Sequence, residues 1–100
     1  MPHLLFTDRA SLAALCQQHG VRKLSLFGSV LKGTAGDDSD VDLLVEFEPG
    51  REPGLFKLAT IEAQLSAMLG GRRVDLRTAA DLSTHFRNEV IRAADEQYAA

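Results

Sequence analysis

Two periods of apolar residues run along the chain. Leu12, Leu15 and Cys16 recur at helical spacing between Ser11 and His19. Thr7 or Asp8 can cap that helix and Gly20 can end it. "VRKLSLFG" then changes to a period of two, with Leu24 and Leu26 on one face of a strand. "GSVLKGTAGDD" reads as a turn holding one short helical turn. "SDVDLLVEF" is a second strand: Val41, Leu43, Val45 and Phe47 share one face, and Asp40, Asp42, Leu44 and Glu46 the other. The Pro- and Gly-rich loop "EPGREPG" precedes a helix from Leu55 to Leu69, whose stripe is Leu55, Leu58, Ile61, Leu65 and Met68 or Leu69. Gly70-Gly71 stops it. "RRVDLRT" is a short third strand. The spacing of Leu82, Phe86, Val90 and Ala93 or Ala94 predicts helix from Ala80 to Tyr98, with a break near Ser83-Thr84. The order α-β-α-β-α-β-α predicts an α+β (mixed α/β) fold, a small mixed sheet with helices packed on it. With no repeat or internal boundary, one domain over residues 1–100 is expected.

Composition narrows the function classes. The net charge is −3, so no global basic field argues for direct nucleic-acid binding. The single cysteine, Cys16, excludes a disulfide framework and a cysteine metal knuckle. His3, His19 and His85 have no ligand spacing and read as structural. "MPHLLFTDRA" lacks the pattern of a signal peptide, and no apolar run has the length of a membrane span. A cytoplasmic location is expected.

The acids are not evenly spread. Asp37, Asp38, Asp40, Asp42, Glu46, Glu48 and Glu52 are seven of the fourteen carboxylates and fall between positions 37 and 52. Most suit solvated loop and edge positions. Asp40 and Asp42 do not: strand alternation points them the same way, about 7 Å apart. Carboxylates held so close repel, which raises a pKa or recruits a cation. Their hard oxygens suit Mg²⁺ or Mn²⁺. Asp75 lies between Val74 and Leu76 of the third strand. If that strand lies beside the second, three acids converge, an arrangement able to hold two metals roughly 3.5–4 Å apart for in-line phosphoryl chemistry. Gly28-Ser29 follows the first strand and opens a helical turn, where free N–H groups and a hydroxyl attract phosphate. Together these suit a Mg-nucleoside triphosphate.

Gly28-Ser29, ten residues, then Asp40-x-Asp42 resembles the signature of the DNA polymerase β-like nucleotidyltransferase superfamily. The whole chain is similar to its minimal nucleotidyltransferase (MNT) branch, through "KLSLFGSVLKGTAGDDSDVDLLVEF", "GLFKLATIEAQL", "RRVDL" and "LSTHFRNEVI". The resemblance implies the polymerase β-like nucleotidyltransferase fold. It also implies metal binding by Asp40, Asp42 and Asp75 as the catalytic acids, with Asp75 near the attacking hydroxyl and two Mg²⁺ ions as cofactors. Gly28 and Ser29 match residues that hold the triphosphate. Lys32 stands where many relatives have arginine and is assigned to phosphate as a point charge rather than a bidentate fork. Asp37 stands where proline is common, adding negative charge near the phosphate site.

The branch is often encoded beside a HEPN-domain toxin. The function implied is protein adenylylation: AMP passes from ATP to a tyrosine hydroxyl of a HEPN ribonuclease, which this chain would silence as its antitoxin, in a hetero-oligomer with it. An alternative is a binding module that neutralises the toxin by contact alone. A small-molecule transferase of the aminoglycoside-modifying kind is a third reading, disfavoured by the lack of an acceptor-gripping domain.

Overall fold

The structure, a computed structural model, describes residues 5–28, 40–82, 85 and 87–100. Helix α1 spans Arg9–His19. Of the two candidate caps, Asp8 does the capping: its carboxylate accepts from the Ser11 amide at 3.0 Å and the Ser11 hydroxyl at 2.7 Å. These bonds hold the Asp8 carboxyl below its ordinary pKa. Gly20 ends the helix in the left-handed conformation, φ 70°.

Strand β1 (Val21–Phe27) pairs antiparallel with β2 (Val41–Phe47). Helix α2 (Leu55–Met68) follows, then β3 (Val74–Arg77), which pairs parallel with β2. Two parallel neighbours need a crossover, and α2 is that crossover. The sheet is mixed and four-stranded, ordered β3-β2-β1-β4. The condition attached to Asp75, that its strand lie beside the Asp40–Asp42 strand, is therefore met.

One face of the sheet makes the core. Leu24, Leu26, Val41, Leu43, Val45, Phe47, Val74 and Leu76 are buried there, with Phe6 and with Leu12, Cys16, Ile61 and Leu65 from α1 and α2. Burial in this apolar layer pushes the Cys16 thiol up to about 11, so it is a packing group rather than a nucleophile. His19 is buried at the end of α1, and its Nε2 lies 2.9 Å from Gln64 Oε1, linking the two helices. At the sheet edge the Leu76 amide donates to Glu62 Oε2 at 2.9 Å, so a side chain from α2 satisfies a β3 group that would otherwise be open.

The end of the chain departs from the expected helix over Ala80–Tyr98. A 3₁₀ turn at Ala79–Asp81 follows β3, then a short helix α3 (Arg87–Ala93), then strand β4 (Asp95–Ala99). β4 adds antiparallel to the free edge of β1, and the Ala100 amide donates to the Arg22 carbonyl at 2.8 Å. "DEQYA" has no strand alternation of its own. It is a strand because β1 offers an unpaired edge, and a long-range partner overrides weak local preference. Gln97 is fully buried in β4, and its Oε1 accepts from the Leu5 amide at 2.8 Å, tying both ends of the chain to the sheet. Phe86 and Ser83-Thr84, part of the expected helix, lie outside the described residues.

Leu55 also departs from expectation. It is 85% exposed, and the stripe of α2 that packs runs through Leu58, Ile61, Leu65, Met68 and Leu69. The period says which side chains share a helix face but not how far the sheet reaches beneath it. β3 is four residues long, and the contact it makes with α2 at Glu62 lies seven residues beyond Leu55.

Candidate active site

The opposite face of the sheet carries the acids. Register sets Asp42 directly beside Asp75 on β3 and beside Phe27 on β1. Partners in register point the same way, so two carboxylates stand on adjacent strands with backbones about 4.8 Å apart. Asp40 immediately precedes β2 and is exposed; Asp42 and Asp75 are half-buried. Burial raises the Asp42 pKa above its ordinary value, and the nearby charges of Asp75 and Asp40 push it the same way, while Arg77 opposes them. The charges of Asp75 and Asp40 are therefore both felt at Asp42.

Gly28 follows β1 and lies against the same carboxylate. Its φ is +80°, a conformation that L side chains rarely adopt. A Cβ placed there would collide with Asp42 Oδ2 and come within 3.0 Å of Asp42 Cγ. Only a residue without a side chain lets the β1 terminus close over the aspartate. Ser29, Lys32 and Asp37 lie outside the described residues.

Two arginines hold the flanking acids. Arg77 donates to Asp75 Oδ2 from Nε at 3.1 Å and approaches it through Nη2 at 3.0 Å. Arg73 Nε lies 3.9 Å from Asp40 Oδ1. Among the described residues, no three His, Cys, Asp or Glu side chains are gathered closely enough to enclose a metal ion. The donor set nevertheless fits Mg²⁺ in kind: hard carboxylate oxygens, two of them on rigid neighbouring strands in register.

Other charges on this face belong to the scaffold. Glu46, on the Asp42 side of β2, pairs with Arg22 at 3.0 Å. Arg87 donates to the carbonyls of Ala79 at 2.8 Å and Leu82 at 3.3 Å. It fastens the 3₁₀ turn that lies against β2, where Leu44 is buried. Alternation from Asp75 was the available signal for Arg77, since residues i and i+2 share a strand face. No sequence signal pointed to the contact between Gly28 and Asp42, which depends on how two strand ends meet.

Against known proteins, the nucleotidyltransferase domain family matches residues 9–95. The protein adenylyltransferase MntA of Thermococcus cleftensis is 42% identical over 78 residues, 78% of this chain and 76% of that protein. A solved structure assigned as a minimal nucleotidyltransferase superposes with a TM-score of 0.69 at 41% identity, covering 86% of this chain and 85% of its own. An MNT antitoxin in complex with a tri-AMPylated HEPN toxin of Shewanella oneidensis gives a TM-score of 0.61 at 17% identity, covering 92% and 70%; at that identity the likeness is one of fold.

Proposed function

Because this chain belongs to the nucleotidyltransferase domain family, and within it to the minimal nucleotidyltransferases, we propose that it is a Mg²⁺-dependent protein adenylyltransferase acting as an antitoxin. ATP is the donor and a tyrosine hydroxyl of a HEPN ribonuclease the acceptor. The observation that carries this reading is the register of Asp42 with Asp75 on the open face, with Gly28 closed over Asp42. The relative named MntA is a protein adenylyltransferase, and the fold neighbour is an antitoxin bound to an AMPylated HEPN toxin, which supports a HEPN toxin as the acceptor protein.

Asp40, Asp42 and Asp75 would hold the Mg²⁺ ions, which when bound neutralise charge on the triphosphate and ease ionisation of the acceptor hydroxyl. Gly28 brings bare backbone to the edge of the site, where a phosphate can approach closely. Ser29 and Lys32 are assigned to the triphosphate on the strength of the motif. In this reading Asp75, on the outer strand, would receive the acceptor's proton. The hydroxyl oxygen then forms its bond to the α-phosphorus, the bond to the β-phosphate oxygen breaks, and diphosphate leaves. Holding these groups on a rigid sheet supplies catalysis through position and charge.

The test is intact mass of the HEPN partner after incubation with this protein, Mg²⁺ and each nucleoside triphosphate separately. A gain of one or more AMP masses with ATP alone, absent with Asp40→Ala/Asp42→Ala, is expected. No gain with any nucleotide, while the double variant still binds and silences the partner, would replace the enzyme with a contact-only antitoxin.

A further inference from the structure

Arg77 is not one of the acids or phosphate ligands that the motif designates, yet it engages the site directly. It lies two residues beyond Asp75 on the same strand face, and both its Nε and Nη2 converge on Asp75 Oδ2, at 3.1 and 3.0 Å. Among the described residues its charge also reaches Asp42, the neighbour of Asp75 in register. About half of its side chain is exposed, as against roughly a third of that of Asp75. The guanidinium therefore has room to leave, whereas the carboxylate is held by the strand. A planar fork on a carboxylate oxygen is a strong but displaceable contact when it faces water.

We infer that Arg77 is a resident counter-cation of the carboxylate site: it occupies Asp75 while no divalent ion is bound, competes with that ion for the same oxygen, and so sets the affinity of the site. The inference rests on the metal-binding reading given above. Three acids on one small face repel one another, and an internal cation relieves that repulsion without a metal. An entering divalent ion meets Asp75 already engaged, so Arg77 has to swing toward solvent before Asp75 can turn to Asp42. Arg77 is thus a positioning residue, and its effect is on metal affinity before it is on turnover.

The test uses Mn²⁺ alone as the probe, with binding to the nucleotide-free protein followed by the electron-spin signal of free Mn²⁺. Arg77→Met keeps the length of the side chain and removes its charge. It is expected to tighten Mn²⁺ binding roughly fivefold to twentyfold, given one unit charge a few ångströms from a divalent ion at a partly wet site. Arg77→Lys, which keeps the charge, should stay near the wild type. Arg22→Met removes the same charge from the Arg22–Glu46 pair. That pair lies four to five residues, about 13–17 Å, along the strands from Asp42 and Phe27, beyond a Debye length of ~8 Å, and should change nothing.

If a variant is poorly folded, a Mg²⁺ titration of the wild type monitored at the Arg77 Nε–H resonance answers the same question. That proton should lose its hydrogen-bonded shift as the site fills. Unchanged or weaker Mn²⁺ binding in folded Arg77→Met, or an Arg77 resonance unmoved while the Asp75 amide shifts, would overturn the inference and leave the metal site standing. Wild-type protein that binds no Mn²⁺, or binds it equally after Asp40→Ala/Asp42→Ala, would overturn the metal reading and this inference with it.

Discussion

The two faces of the sheet are made from alternate residues of the same strands, and they obey opposite rules. On β2, Val41, Leu43 and Val45 are almost fully buried under α1 and α2, while Asp42, one position away, is a carboxylate kept half in water beside two others. The first face gains from every apolar contact it completes. The second holds like charges together, an arrangement that costs stability and that a fold retains for what it does. The buried face fixes the register, because a slip of one residue would exchange Asp42 with a core position. Rigidity on one side is therefore what keeps the acids aligned on the other.

The acid face is most sensitive at Asp42 itself. Asp42→Ala should lower AMP transfer by at least roughly 10²–10³-fold, as for loss of a group that stabilises transition-state charge. Partner binding should remain, and both are read by intact mass and a pull-down of the same mixture. Gly28→Ala comes next. A Cβ at φ +80° costs about 1–2 kcal/mol and displaces the Asp42 carboxylate. Transfer should fall on the order of 10²-fold, because small misplacements near reacting groups have effects of that size.

Leu43→Ala attacks the other face. Leu43 is fully buried, so the variant should lose about 2–5 kcal/mol in urea unfolding. Transfer per folded molecule should stay close to that of the wild type. Loss of transfer without loss of stability would show that the two faces are not separable in this way.

A smaller effect concerns pH. Asp42 has its pKa raised in the folded state by burial and by its acidic neighbours. Its contribution to stability is therefore complete below the ordinary carboxylate value and is lost as pH rises through the raised one. Asp42→Asn should be more stable than the wild type in urea at neutral pH in chelator, and the advantage should vanish in acid, even though its AMP transfer should fall as that of Asp42→Ala does. Asp8 runs the other way: its pKa is lowered by the helix cap, so its contribution is present at neutral pH and is lost as pH falls. The smallest expected change is at Phe56, which is 94% exposed and belongs to neither face. Phe56→Ser should shift stability by no more than about 0.5 kcal/mol.

Local periodicity revealed both central strands, the facing of Asp40 and Asp42 away from the core, and helices α1 and α2. Such patterns are properties of neighbouring residues, so a single chain displays them. The seating of Asp75 beside Asp42 was legible only as a condition, since pairing between strands separated by a helix depends on packing. β4 was not legible at all: Asp95–Ala99 lacks strand patterning and acquires its structure from the free edge of β1. The exposure of Leu55 and the binding of Arg87 to the turn at Ala79–Leu82 were hidden for the same reason, each depending on where a distant element ends.

The central claim is that the acids on the open face form one metal site. Crystals of the protein grown with Mn²⁺ and a non-hydrolysable ATP analogue, measured at the manganese absorption edge, test it most directly. Anomalous density is expected between Asp42 and Asp75, with Asp40 in reach and Arg77 withdrawn from Asp75. Manganese bound elsewhere, or nucleotide bound with the Arg77–Asp75 pair intact and no metal between the strands, would contradict it.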